Sequence, residues 1–230
     1  MKSGAKKLLL FDIDGTLITS GGAGEAALKD AMRERFGKEE DFKDILIAGG
    51  TDSGIANALF QKHGLPSTAE NISALFDSYL HHLQLRLPKH GGKLLPGIVE
   101  LLEKVKQRDD CVVALLTGNL ERGARIKLTH YGVWDFFEFG AFADDHINRN
   151  ELGKYAKTRA LERHGIEFPP ERIYIIGDTP RDIECGKAIG AKTVAIATGN
   201  YPTKELAAHH PDFLFEDLSE VDAVITALLG

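Results

Sequence analysis

Residues 7–17 read Lys-Leu-Leu-Leu-Phe-Asp-Ile-Asp-Gly-Thr-Leu, a short apolar run that stops at two carboxylates and a glycine. A run of this length without polar alternation is the pattern of a strand buried on both faces, as in a parallel sheet. Asp12 and Asp14 leave its end together, and burying two such charges is costly unless a cation or a shared proton compensates. Alone, Asp-x-Asp-Gly also suits an ordinary solvated turn, because Asp and Gly are good turn formers. Recurrence argues against that bland reading. Val112–Leu116 runs into Thr117-Gly118-Asn119, and Arg172–Ile176 into Gly177-Asp178-Thr179-Pro180. Thr193–Ala197 runs into Thr198-Gly199-Asn200, and Asp212–Phe215 into Glu216-Asp217, with Phe136–Phe139 a candidate sixth strand.

Helical patterns separate these strands. Pro96 to Arg108 carries Ile98, Leu101, Leu102 and Val105 at helical spacing, with Pro96 suited to a first turn. Leu120 to Tyr131, Leu152 to Arg163, Arg181 to Ile189 and Glu220 to Leu229 continue the alternation. Strands alternating with helices predict an α/β fold, a Rossmann-like parallel sheet core. Residues 20–91 break the rhythm. Gly24 to Phe36, Asp52 to His63 and Asn71 to Leu87 are helix candidates with no convincing strand among them. The expected organisation is therefore a core of residues 1–19 and 92–230 with a small inserted helical cap of residues 20–91, hinged near Thr19–Gly22 and His90–Leu95.

Composition narrows the function. The chain has 230 residues, 43% hydrophobic and 27% charged, with 28 Lys and Arg against 34 Asp and Glu. A chain this long buries most of its apolar surface without disulfides or structural metal. Its acidic balance argues against nucleic acid as a partner, since phosphate backbones want clustered positive charge. No apolar run approaches a membrane span, and the basic start, Met1 to Lys7, is followed by too short an apolar run for a secretory leader. Cys111 and Cys185 lie in apolar contexts and read as free buried thiols, so a cytoplasmic location is expected.

In parallel α/β sheets ligands bind outside the carboxyl ends of the strands, where Asp12, Asp14, Thr117, Gly118, Asn119, Asp178 and Asp182 all fall. Such oxygen donors suit a hard divalent cation, Mg²⁺, which is held by one or two carboxylates plus substrate phosphate. Asp12 and Asp178 can each offer a side-chain oxygen, and Asp14 its backbone carbonyl. Zinc would want His and Cys, and the paired His81-His82 and His209-His210 cannot both face one ion.

The ordered set Asp-Ile-Asp-Gly-Thr-Leu, Leu-Leu-Thr-Gly-Asn and Gly-Asp-x-x-x-Asp resembles the haloacid dehalogenase-like hydrolase superfamily, and within it the phosphoglycolate phosphatase-like branch. The resemblance covers essentially the whole chain. It implies that Asp12 is the nucleophile that forms an aspartyl-phosphate, and that Asp14 is the general acid and then the base. Gly15, Thr117, Gly118 and Asn119 would bind phosphate, and Asp12, Asp14, Asp178 and Asp182 would serve the Mg²⁺, Asp182 by orienting the ion or its waters.

The third basic group departs from the family pattern, because no Lys-Pro stands before the Gly-Asp motif. Arg149 and Lys154 are the candidates, with Arg149 favoured by its place at a loop-to-helix junction. A second Asp at position 14 suits an oxygen leaving group better than a halide. The expected activity is hydrolysis of a small phosphorylated metabolite such as phosphoglycolate or a sugar phosphate. A phosphomutase of the β-phosphoglucomutase type, or a non-catalytic binding module on the same fold, are the alternatives. Two glycine-rich segments, Ser20–Gly24 and Ala48–Gly54, could line the site or simply flex, and Thr51-Asp52 could be a helix N-cap.

Overall fold

The computed structural model describes residues 6–230. The first five residues of the basic start, part of the leader reading, lie outside the described residues. Lys7–Phe11 forms β1, and the chain turns through Asp12–Leu17 into a two-residue strand β2, Ile18–Thr19. Three helices follow: α1, Ala23–Phe36; α2, Asp52–His63; and α3, Ala69–Arg86. The chain returns through β3, Lys93–Leu94, which pairs antiparallel with β2. The second half alternates α4 (Ile98–Lys106), β4 (Cys111–Leu116), α5 (Glu121–His130), β5 (Gly140–Ala141) and α6 (Arg149–His164). It closes with β6 (Ile173–Gly177), α7 (Pro180–Ala188), β7 (Lys192–Ile196), α8 (Thr203–Ala208), β8 (Phe213–Phe215) and α9 (Val221–Leu229).

Six strands make one parallel sheet in the order β5-β4-β1-β6-β7-β8. Side chains alternate across a strand, so β1 feeds two cores. Leu9 and Phe11 join Val113 and Leu115 under α4, α5 and α9, while Leu8 and Leu10 join Val112, Ala114 and Leu116 under α6 and α7. Helices cover both faces, which is why β1 and β4 are buried along nearly their whole length. The strand order reverses direction at β1, between β4 and β6, and that switch point is where open α/β sheets bind ligands.

The helices α1–α3 form a separate apolar cluster around Leu59, Phe60, Leu75 and Leu83, with Leu120 of the sheet layer against it. The β2–β3 ribbon carries the chain out to them and back.

One expectation needs correction. Phe136–Phe139 is not a strand: residues 134–136 make a 3₁₀ turn, and pairing with β4 comes at Gly140–Ala141. The aromatic run serves packing instead, with Phe137 buried edge-on to Phe11 at 6.1 Å. The short α8 follows a loop too polar for its pattern to stand out. Both cysteines are free and buried, as expected.

Candidate active site

The turn after β1 sets up the site. The carbonyl of Ile13 accepts from the amides of Thr16, Leu17 and Ile18, folding the chain sharply back. Gly15 sits at φ +82°, and a Cβ there would run into the Asp178 carboxylate, so conformation and space both demand glycine. Asp12 is left buried at the end of β1, its amide bonded to the Ile176 carbonyl of β6 at 2.9 Å.

Asp12, Asp178 and Asp182 converge, each offering a carboxylate oxygen, all within 4.8 Å of one another. One guanidinium faces them. Arg149, the first residue of α6, is buried and places Nη2 3.1 Å from Asp12 and 2.5 Å from Asp182. Its Nη1 donates to the Gly49 carbonyl at 3.2 Å, and its buried Nε has no hydrogen-bond partner among the described residues. Asp182 is otherwise occupied: its Oδ2 accepts from the amide and hydroxyl of Thr179 at 3.0 and 2.7 Å, capping α7. That leaves Asp12 and Asp178 as the carboxylates with capacity to spare.

Burial pushes both Asp12 and Asp178 above the ordinary carboxylate range, and the neighbouring carboxylates push the same way against the pull of Arg149. Arg149 itself stays charged: burial opposes its charge, but Asp12 and Asp182 outweigh that and raise it further.

The side chain of Asp14 turns away from this cluster, so a carboxylate contribution to a metal from position 14 is not what the geometry offers. Its Oδ2 accepts from Asn119 Nδ2 at 2.9 Å and from Lys127 Nζ at 2.5 Å. Thr117 and Asn119 follow β4, with Thr117 donating toward Asp12 and accepting from Asn119 Nδ2 at 2.8 Å. At Gly118 a Cβ would strike the carbonyl of Gly50, because the loop before α2 rests directly on the turn after β4.

Lys154 does not reach the site. It pairs with Glu151 at 2.5 Å on the surface, its side chain 62% exposed. Five residues past Arg149 on a helix of 3.6 residues per turn, it faces away from the cluster.

A cavity of about 380 Å³ opens over these groups, walled by Asp12, Asp14, Asn119, Lys127, Arg149 and Asp178. Both glycine-rich segments line it, through Ser20, Gly22 and Gly24 and through Ala48–Gly50. The second is pinned to the sheet layer. Asp52 N–H donates to the Gly118 carbonyl at 2.7 Å, Asp52 Oδ2 accepts from Leu120 N–H at 2.8 Å, and the Thr51 hydroxyl donates to the Ile147 carbonyl at 2.6 Å. Thr51 also caps α2, so the N-cap reading and the site-lining reading both hold. Burial pushes Asp52 up to about 6 despite the pull of Lys127.

The family profile of haloacid dehalogenase-like hydrolases matches residues 6–190. The chain belongs to the haloacid dehalogenase-like hydrolases. A phosphoglycolate phosphatase of Aquifex aeolicus is 29% identical over 218 residues, covering 94% of each chain. An N-acetylmuramic acid 6-phosphate phosphatase of Pseudomonas aeruginosa is 26% identical over 213 residues, covering 91% of this chain and 89% of its own. A hydrolase structure from Pseudomonas syringae shares the fold at a TM-score of 0.73 and 22% identity, covering 96% of this chain and 98% of that one.

For a haloacid dehalogenase-like hydrolase, two parts of this site escape a motif reading. Lys127 lies in mid-helix on the same buried stripe as Gly123, Ala124 and Leu128, and a lysine on an apolar face is the signal that could have marked it. The Thr198-Gly199-Asn200 turn after β7 also walls the cavity. Thr198 donates to the Gly15 carbonyl at 2.5 Å, and the Gly199 backbone closes on Asp178 so tightly that a Cβ would collide with its carboxylate. The recurrence of a strand ending in Thr-Gly-Asn was that signal.

Proposed function

We propose that this hydrolase is a Mg²⁺-dependent phosphatase that splits a small phosphomonoester through a phosphorylated Asp12. The observation that carries the reading is a buried Asp12, grouped with Asp178 and faced by Arg149, on the floor of a cavity large enough for a small metabolite. Phosphatase relatives of differing substrate, matched along nearly their whole length, support the reaction class without fixing the substrate.

Asp12 and Asp178 fit a hard divalent cation: the donors are oxygens, they are crowded and buried, and one guanidinium does not balance three carboxylates. They would hold the ion with the Asp14 carbonyl, while Asp182 steadies Arg149 beside them. When bound, the cation offsets the repulsion between Asp12 and an incoming phosphate dianion.

In the proposed sequence Asp12 attacks phosphorus as the bond to the leaving oxygen breaks, and Asp14 gives that oxygen its proton. Water then attacks the phosphorus on Asp12, Asp14 takes a proton from it, and phosphate leaves with Asp12 restored. Thr117, the amides of Gly118 and Asn119, and the unpartnered Nε of Arg149 are donors for the phosphate oxygens, where charge must be offset in phosphoryl transfer. The insertion of residues 20–91 acts as a cap, its 48–52 loop excluding water over the reacting atoms.

Phosphate release from a panel of phosphorylated metabolites, with magnesium and with a chelator, tests this directly. Asp12→Asn should lose about a thousandfold or more in kcat, with deamidation excluded by mass. Full activity of that variant overturns the nucleophile, and an isomerised sugar phosphate without free phosphate points to a mutase instead.

A further inference from the structure

Lys127 is a buried lysine on the inner stripe of a helix, and none of the sequence motifs accounts for it. A buried ammonium is expensive unless it is paired and hydrogen-bonded. Here it donates to Asp14 Oδ2 at 2.5 Å and to Asn119 Oδ1 at 2.6 Å. Asn119 Nδ2 donates to the same Asp14 oxygen at 2.9 Å and to Thr117 Oγ1 at 2.8 Å. Lys127, Asn119 and Asp14 therefore form a triangle with every side bonded.

Two features of the triangle bear on catalysis. Both donors land on Oδ2 of Asp14, and among the described residues no hydrogen bond falls on Oδ1. The Asp14 side chain is 40% exposed to the cavity, whereas that of Lys127 is 5% exposed. Lys127 thus holds one oxygen of Asp14 from a buried position in the cavity wall, and the other oxygen keeps no hydrogen-bond partner among the described residues. A mobile carboxylate in a cleft this open would otherwise sample many rotamers, and proton transfer depends on a fixed geometry.

We infer that Lys127 is the positioning residue for Asp14, holding its carboxylate by one oxygen so that the other meets the leaving group. The inference rests on the phosphatase reading, in which Asp14 supplies the leaving group's proton. Lys127 touches no reacting atom in this arrangement. It acts through Asp14, and through Asn119 it couples that carboxylate to the phosphate-binding turn.

Leaving-group dependence separates this role from a structural one. A 4-nitrophenyl leaving group needs little protonation, while a primary alcohol needs a full proton. In Lys127→Met, kcat/KM should fall further on glucose 6-phosphate than on 4-nitrophenyl phosphate, by about tenfold or more. In an Asp14→Asn background the same substitution should bring no further loss, because the group it positions is already gone. Equal losses on both substrates, or a full additional loss in the Asp14→Asn background, overturn the inference. Should Lys127→Met melt below the assay temperature, Lys127→Arg is read by the same ratio. Its planar fork keeps the charge without the ammonium's geometry, so an unchanged ratio there counts equally against positioning. A wild-type enzyme that releases phosphate from no member of the metabolite panel would instead overturn the phosphatase reading itself.

Discussion

Two sites in this molecule bury carboxylates and differ in how that charge is met. In the helical insertion, the Glu40 carboxylate is fully buried and accepts from Lys62 Nζ at 2.7 Å, His63 Nε2 at 2.7 Å, and the amides of Asp41 and Phe42 at 2.9 and 2.6 Å. Burial works against its charge, but those donors outweigh it and hold Glu40 at about 2. At the sheet, Asp12, Asp178 and Asp182 share one guanidinium, and Asp12 and Asp178 are pushed the opposite way. The first cluster is complete in itself and staples a loop. The second is short of positive charge, and that shortage, rather than burial, distinguishes a site from a scaffold.

The largest effect is expected at Arg149. Arg149→Met leaves Asp12 and Asp182 without their cation, which should cost about 3–5 kcal/mol in denaturant unfolding measured in chelator. Magnesium should recover part of that loss. A loss below about 1 kcal/mol would mean the cluster is not short of charge.

Glu40→Gln removes the buried charge that Lys62, His63 and the amides of Asp41 and Phe42 all bond. It should destabilise by about 1–3 kcal/mol and leave kcat per folded molecule unchanged, read by thermal melting and phosphate release.

The pH dependence should have opposite signs at the two clusters. Glu40 has a depressed pKa, so its contribution is present above its ordinary value of 4.5 and is lost as pH falls toward about 2. Asp12 and Asp178 have raised values, so in chelator the folded chain holds protons that the unfolded chain has released above 3.8. Their contribution is present at low pH and is lost as pH rises through the raised values. A cation replaces those protons. The rise in Tm on adding magnesium should therefore grow from mildly acidic to mildly alkaline pH, and a rise that shrinks over that window contradicts the assignment.

The smallest effect belongs to Lys154. Its exposed pair with Glu151 contributes little, so Lys154→Ala should shift stability by less than about 0.5 kcal/mol and leave phosphate release intact.

What the sequence revealed follows the same division. Strands ending in Asp-x-Asp, Thr-Gly-Asn and Gly-Asp were legible because a parallel sheet buries its strands on both faces and gathers their ends. The α2 helix over Asp52–His63 was legible from its polar start and apolar spacing. Lys127 left only a faint signal, a lysine on the apolar stripe of α5, and its meaning arises only where that helix packs beside the β1 turn. Asp52 reads as an ordinary helix-start acid until the turn after β4 is seen beneath it. Arg149 and Lys154 could be ranked by position, but only the helix phase separated them.

Calorimetric titration of magnesium into the chelator-stripped protein at neutral pH tests the charge shortage most directly, with Asp178→Asn alongside. One ion per chain should bind the wild type, with binding lost or weakened by about tenfold or more in the variant. No binding to the wild type, or equal affinity in both, would contradict the account.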